Sequence, residues 1–315
     1  TQSVRVSPTV PRVVDLLPQS VLDAVLGWPG GALVKCTSEP VNGGAGAATG
    51  GVARVSGVAR IDGDQLGFTV IRKVCRPVTS GRHAAHADEP EHWAYWRREP
   101  LAYASGLLPT GPGLAAPGCY GVVDDVIYLA DVGTALESPR VAAYRLGRWQ
   151  GEAVVPDVPW LSGHQLAQRI AVSELDWSGV DVHPGIPALW SRREELLARL
   201  DEVPRVLVHG DFSHGNLMAS ADGTSTVVLD WATLGSGPLG ADLASLALTT
   251  LQRHIVDYLD GLDGRFDTAD VEPGYRATLA LTGAGRVHWM WSRGMTPPTG
   301  YVDFILAETA SISGG

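Results

Sequence analysis

The segment VLVHGDFSHGNLMASADGTSTVVLDW, residues 206–231, gathers the residues whose types and spacing can do chemistry. Asp211 ends an apolar run and follows His209 and Gly210. Asn216 stands five residues later, and Asp230, at the end of a second apolar run, fourteen residues beyond Asn216. Two carboxylates and an amide oxygen are hard ligands of the kind Mg²⁺ takes. One carboxylate of such a set can instead orient or deprotonate an attacking hydroxyl, as phosphoryl transfer requires. The runs RVLVHGD (205–211) and STVVLDW (225–231) read as short strands joined through the turn Ala221-Asp222-Gly223. Such a hairpin makes Asp211, Asn216 and Asp230 converge at its open end. A zinc site from His209 and His214 lacks a third ligand at a familiar spacing.

The lysines carry a second signal. Of the 24 Lys and Arg residues only two are Lys, Lys35 and Lys73. Arg is a planar fork and Lys a compact point charge, so a chain that uses Arg elsewhere keeps Lys where an ammonium matters. Lys73 lies in LGFTVIRKV, residues 66–74, a run rich in β-branched and aromatic residues that reads as a strand. Ile71 points to the same side of that strand as Lys73. Lys35, at a strand start, reads as a surface residue.

The elements that must position these groups change character along the chain. Residues 10–28 read as an amphipathic helix region, with Leu22, Val25 and Leu26 on one face and Ser20 as cap. A strand, a glycine-rich turn from Asn42 to Gly51, and two further strands form an antiparallel meander, with a turn at Asp62-Gly63. Residues 77–90 read as a loop. Trp93, Trp96, Tyr103 and Leu107 then show helical spacing, and Pro100 kinks that helix or delays its start. CYGVV-DD-VIYLA reads as a hairpin. From residue 139 onward the chain is mostly helical, and the domain boundary falls at about 132.

Composition bounds the function. The chain has 315 residues, a net charge of −10, 45% hydrophobic and 18% charged residues. That is long enough for one large or two modest domains and too apolar for disorder. No run approaches the ~18 apolar residues of a membrane span. The start TQSVRVSPTVPRVV lacks the apolar core of a signal peptide. The acidity argues against sequence-independent binding to nucleic acid. Cys36, Cys75 and Cys119 are odd in number and far apart, so they read as small buried hydrophobes and suit a reducing cytoplasm. No obligate protein partner is evident.

With these residues in view, the chain resembles the aminoglycoside phosphotransferase/choline kinase family, whose catalytic loop reads H-G-D-x-x-x-x-N and whose metal strand reads [VIL]-[IL]-D-W. His209-Gly210-Asp211 with Asn216, and Val228-Leu229-Asp230-Trp231, match that spacing. Gly240-Ala241-Asp242-Leu243-Ala244 matches the family's following D-L-A. Thr69–Lys73 looks like the strand with the phosphate-binding lysine, and Trp96-Arg97-Arg98-Glu99 like the helix that supplies its carboxylate partner.

The resemblance implies an α+β, bilobal, protein-kinase-like fold: a small antiparallel-sheet lobe at 1–132 for nucleotide, and a larger, mostly helical lobe at 133–315 for catalysis and substrate. It implies ATP (or GTP) and Mg²⁺ as cofactors. Asp211 would be the catalytic base and Asn216 and Asp230 the metal ligands. Lys73 would hold the α/β-phosphates, with Glu99 holding Lys73. The turn with Gly43, Gly44, Gly46 and Thr49 would lie over the phosphates. Ile71 would floor the adenine, and Leu129, Ala130, Asp131 and Val132 would form the hinge. Asp242 would bond the catalytic-loop backbone. The acceptor would be a hydroxyl-bearing small molecule, aminoglycoside-like or another antibiotic or metabolite, with Glu174, Asp176 and Asp181 as acidic candidates for a cationic one. The alternatives are a Ser/Thr kinase of a ribosomal peptide and a degenerate, non-catalytic nucleotide-binding module. An acidic, enclosed pocket would favour an amine acceptor and an open groove a peptide. Residue 232 is Ala where many members carry Glu or Asp, and the turn lacks a strict G-x-G-x-x-G. Trp289 and Trp291 read as core, with a stacking surface as the alternative.

Overall fold

The structure, a computed structural model, describes residues 17–41 and 48–312. The chain divides into two compact units. One takes the described residues up to Arg76 together with Pro117–Asp131, and the other takes Pro77–Ala116 and the described residues from Val132.

The first unit is a helix, α1 (Gln19–Leu26), and a five-stranded antiparallel sheet. Its strands are β1 (Ala32–Pro40), β2 (Thr49–Ile61), β3 (Asp64–Cys75), β5 (Cys119–Val123) and β6 (Val126–Leu129), in the order β1-β2-β3-β6-β5. Two hairpin turns set the register. Asp62 and Gly63 have φ of +50° and +97°, and Asp124 and Asp125 have +50° and +61°. Paired positive φ values match the right-handed twist of the flanking strands, and Asp and Gly tolerate them best. Val55, Ala59, Phe68, Val70 and Tyr128 bury one sheet face against Leu17, Val21 and Leu22. Ser20 lies inside α1, and Pro18 is the residue at its N-cap.

The second unit holds the remaining helices: α2 (Arg98–Ser105), α3 (Pro139–Glu152), α4 (Gln165–Ala171), α5 (Gly185–Ser191), α6 (Arg193–Asp201), α7 (Ala241–Thr250), α8 (Ile255–Leu262), α9 (Thr268–Trp291) and α10 (Tyr301–Thr309). Its short strands are β4 (Gly113–Ala115), β7 (Arg205–Val208), β8 (Leu217–Ala219), β9 (Ser225–Val228) and β10 (Gly235–Pro238). Helices α3 and α8 pack closely. A Cβ on Gly147 would strike the Tyr258 carbonyl, and one on Gly261 would strike the Tyr144 carbonyl. Among the described residues no helix is long and apolar enough to cross a membrane.

Several expectations are corrected here. Residues 77–116 belong to the second unit, not to a first lobe ending at 132. The physical reason is Arg98, 0% exposed, whose guanidinium donates to the carbonyls of Pro90, His92, Trp93, Trp160 and Ala232 at 2.7–3.3 Å. Five carbonyls satisfy a buried guanidinium and fasten the loop to the second core. The hairpin turn 221–223 joins β8 to β9, whereas β7 pairs with β10 and β9 also pairs in parallel with β4. The helix containing Pro100 starts late, at Arg98, so the missing N–H of Pro100 falls in the first turn, where it has no helical partner to lose. Trp289 and Trp291 are exposed, at 50% and 38%. Trp289 carries the Arg293 guanidinium 4.3 Å above its ring. Cys119 is exposed, unlike Cys75.

Candidate active site

Asp242 organises the loop that carries Asp211. It sits in the first turn of α7, 2% exposed. Its Oδ2 accepts from the His209 N–H (2.7 Å) and its Oδ1 from the Gly210 N–H (2.9 Å). Gln150 of α3 donates through Nε2 to the same Oδ2 (3.2 Å) and to Leu207 O (3.1 Å), while Tyr258 of α8 donates its hydroxyl to Gln150 Oε1 (2.5 Å). Burial pushes the Asp242 carboxyl above its ordinary range, and His209 and the two backbone N–H groups oppose that shift.

The loop sequence follows from this clamp. Gly210 has φ +84°, and a Cβ there would lie 2.7 Å from Thr233 O and 2.9 Å from Thr233 Oγ1, so only glycine fits. His209 is fully buried. Its Nδ1 accepts from the Asp211 N–H (3.2 Å), so the ring proton sits on Nε2, which donates to Leu229 O (3.0 Å). The ring meets Trp231 edge to face at 4.7 Å. His209 is scaffold, as its position in the motif implies. His214 likewise serves the loop, donating its N–H to Thr249 Oγ1 (3.0 Å) and bonding Glu137 O through Nε2 (2.9 Å).

Asn216 and Asp230 stand at one end of the β8–β9 hairpin. The Asn216 amide nitrogen donates to Asp211 O (3.0 Å) and to Asp211 Oδ2 (3.3 Å). With both amide hydrogens directed at Asp211, Oδ1 is the atom left for a cation. The Leu229 N–H donates to Asn216 O (2.8 Å), which sets Asp230 one residue beyond the last rung of the hairpin. Asp230 has φ +64°, uncommon for a residue other than glycine, and such backbone clusters at functional sites. Among the described residues no three His, Cys, Asp or Glu side chains gather at a metal position. One Asp and one Asn carbonyl nevertheless fit Mg²⁺, which takes few protein ligands and fills its shell with phosphates and water.

The first unit presents a separate set. Lys73 pairs with Val52 and Ile127, and Ile71 with Arg54 and Leu129, so all six side chains share the sheet face opposite Val55, Phe68 and Val70. Lys73 is buried, as is Leu129. Thr49 opens β2 opposite Cys75, next to a register shift at Gly51. The Ala130 N–H donates to Gly118 O (2.8 Å), so a nucleotide base at this segment must use other backbone groups. The Asp131 carboxylate accepts from Arg54 Nε at 2.6 Å. Val132 begins the stretch that belongs to the second unit. Glu99 lies in the first turn of α2, 2% exposed, also in the second unit. Gly43, Gly44 and Gly46 lie outside the described residues.

A pocket, partly open to solvent, adjoins Asp211. The sequence reading missed its wall. Ser162, His164 and Arg169 come from the α4 region, and Thr278, Thr282 and Arg286 from α9. The last three are four residues apart on one stripe of an otherwise apolar stretch of that helix, a signal legible in ATLALTGAGR. Arg169 is exposed overall, but its guanidinium lies 4.0 Å over the Trp93 ring. Burial there lowers its pKa to about 10, with Arg286 acting the same way and Asp211 opposing. Gln165 ties this wall to the loop when its amide is oriented so that Oε1 accepts from Arg169 Nη2 (2.7 Å) and Nε2 donates to Gly210 O (3.1 Å), the orientation that satisfies both atoms. Glu174, Asp176 and Asp181 do not line the pocket.

Several solved structures resemble this chain. The GDP complex of wild-type aminoglycoside 2'-phosphotransferase-IIIa superposes with a TM-score of 0.50 at 11% identity, over 90% of this chain and 93% of that one. A macrolide 2'-phosphotransferase type I matches with a TM-score of 0.49 at 16% identity, over 98% and 99% of the two chains. The choline kinase LicA from Streptococcus pneumoniae matches at 0.49 and 12%, over 90% and 95%. No curated protein sequence matches the chain. The fold is the α+β protein-kinase-like fold of the phosphotransferases. Residues 163–280, which hold part of the pocket wall, the Asp211 loop, Asn216, Asp230 and Asp242, match the model described as the phosphotransferase enzyme family.

Proposed function

We propose that the protein transfers the γ-phosphoryl group of ATP or GTP to a hydroxyl of a small molecule, with Asp211 as the base. The observation that carries this reading is the Asp242-clamped loop, which aims the Asn216 amide at the Asp211 carboxylate. A base fixed by a backbone clamp and an amide donor is oriented before substrate arrives, and phosphoryl transfer depends on positioning more than on covalent chemistry.

In the proposed reaction the acceptor oxygen attacks the γ-phosphorus. The bond from that phosphorus to the β–γ bridging oxygen breaks, and the nucleoside diphosphate leaves with the electron pair. The hydroxyl proton passes to Asp211 Oδ1, the oxygen that Asn216 does not engage. Asn216 Oδ1 and the Asp230 carboxylate would hold Mg²⁺, which neutralises charge on the phosphates when bound. Lys73 would hold the α/β-phosphates as a point charge, and Ile71 and Leu129 on the same sheet face would pack the base.

The test is a transfer screen. The protein is incubated with Mg-ATP or Mg-GTP and pools of aminoglycosides, other hydroxylated antibiotics, choline-like amines, hydroxy acids and Ser/Thr peptides. Nucleoside diphosphate release is followed, with mass spectrometry for one added phosphate. The expected result is a phosphorylated small molecule. Phosphate on the peptide pool alone would replace this reading with the peptide-kinase one. Absence of both turnover and Mg-nucleotide binding would replace it with a non-catalytic module.

A further inference from the structure

The pocket beside Asp211 is rich in hydrogen-bond donors and poor in free acceptors. Arg169 projects into it from α4 and Arg286 from α9, and neither is in an ion pair among the described residues. His164 Nδ1 accepts from the Ala167 N–H (3.3 Å), so its proton is on Nε2, and that buried N–H has no partner. Ser162 Oγ and Thr278 Oγ1 are also unpartnered, in residues only 1% and 9% exposed. Two lining carboxylates stand against these donors, Asp211 and Asp242. Both Asp242 oxygens are committed to the loop backbone. Unsatisfied buried donors are costly, and their concentration at one wall marks a place a ligand fills. A cationic amine would meet two guanidinium groups there and find one free carboxylate.

We propose that the acceptor carries an anionic group, a carboxylate or a phosphate monoester, bound by Arg169 and Arg286 with its reacting hydroxyl turned toward Asp211. This rests on the phosphotransferase reading and narrows its acceptor. Guanidinium forks match both anions bidentately. Orientation follows from charge: Asp211 repels the anion and receives the hydroxyl, whereas the arginines attract the anion. Leu166, Val208, Pro238 and Ala241 in the same lining give the carbon skeleton an apolar side. The amino-sugar and choline-like acceptors expected from the family resemblance do not match this wall.

The test is titration calorimetry with the magnesium complex of a non-hydrolysable ATP analogue present. The panel pairs glycerate, gluconate and glycerol phosphate with glycerol and glucitol, and adds choline and an aminoglycoside. We expect at least one anion to bind tenfold or more tighter than its uncharged counterpart. Carboxylate and phosphate arms show which anion is preferred. Arg286→Gln should raise the acceptor's Kd and KM tenfold or more and leave nucleotide affinity unchanged, with Arg286→Lys recovering part of the loss. Arg169 also packs on Trp93, so Arg286→Gln is the deciding variant and circular dichroism checks its fold. The proposal is overturned if no anion outbinds its uncharged counterpart, if an amine binds best, or if Arg286→Gln weakens the nucleotide instead. Anion binding without transfer from Mg-ATP or Mg-GTP would uphold the anion site and remove the phosphotransferase reading.

Discussion

Two neighbouring parts of the second unit treat their polar atoms differently. Around Asp242 each buried group has a partner: His209 N, Gly210 N and Gln150 Nε2 converge on its carboxylate, and Tyr258 closes the chain on Gln150. On the wall formed by Ser162, His164 and Thr278, three buried polar atoms have none, and Arg169 and Arg286 lack carboxylate partners. The first region is closed scaffold, where removing one group strands several others. The second is complete only with something bound, so a change there should be felt by ligand more than by the fold.

The largest effect separates chemistry from both regions. Asp211→Ala should lower kcat by about 10³-fold, within the range of a lost general base. Mg-nucleotide affinity, read by calorimetry, should stay close to wild type, because Asn216 and Asp230 remain. Near-normal turnover would remove Asp211 from the base role. Next, Asp242→Ala strands two buried N–H groups and the Gln150 amide, which should cost about 3 kcal/mol or more in urea unfolding. A loss under about 1 kcal/mol would mean that the clamp is not the closed scaffold described above.

The same contrast decides what could be read from sequence. The Asp211 loop and the Asp230 strand were legible because two Asp and an Asn stand at fixed spacing at the ends of short apolar runs. The Asp124-Asp125 and Asp62-Gly63 hairpins were legible because their turns need positive φ. The pairing of β7 with β10 was not, since Gly235–Pro238 has no strand-like composition and is set by register against Val206–Val208. Nor was the membership of 77–116, which depends on the Arg98 guanidinium, on the pairing of β4 with β9 and on Ala102 and Leu114 in the second core. Leu251, at φ +53°, ends α7 before α8 begins, with no Gly or Pro in 251–254 to mark the break. The pocket wall was missed because its donors are far apart in sequence, and only the Thr278, Thr282, Arg286 stripe left a periodic trace.

Acid should loosen the wall before the scaffold. His83 meets Trp93 edge to face at 4.4 Å, on the ring that carries Arg169. Burial, with Arg169 adding to it, lowers its pKa from 6.5 to about 4. Between those values the unfolded chain binds more protons than the folded one, so His83's contribution is present above pH 6.5 and is lost as pH falls toward about 4. His83 is half-buried, and screening holds the loss to about 1 kcal/mol or less, a few degrees in Tm. Hydrogen exchange at pH 7 and pH 5 should show the 83–96 segment opening while the His209–Asp242 amides stay protected. His83→Gln should remove most of that difference, and equal loosening of both regions would break the contrast.

The smallest expected effect is the sharpest test of it. Thr278→Val removes a buried hydroxyl of nearly the same shape, in a residue 9% exposed, whose Oγ1 bonds nothing. Deleting a satisfied buried hydroxyl costs about 1 kcal/mol, but deleting an unpartnered one is close to neutral or stabilising. Without ligand, the unfolding free energy should therefore shift by no more than about 0.5 kcal/mol in either direction. With the acceptor present, KM should rise several-fold while kcat changes little, because the hydroxyl binds ground state and transition state alike. A clear destabilisation of the free protein would give Thr278 a partner within the fold and place the wall with the scaffold. An unchanged KM would mean that the acceptor does not reach α9.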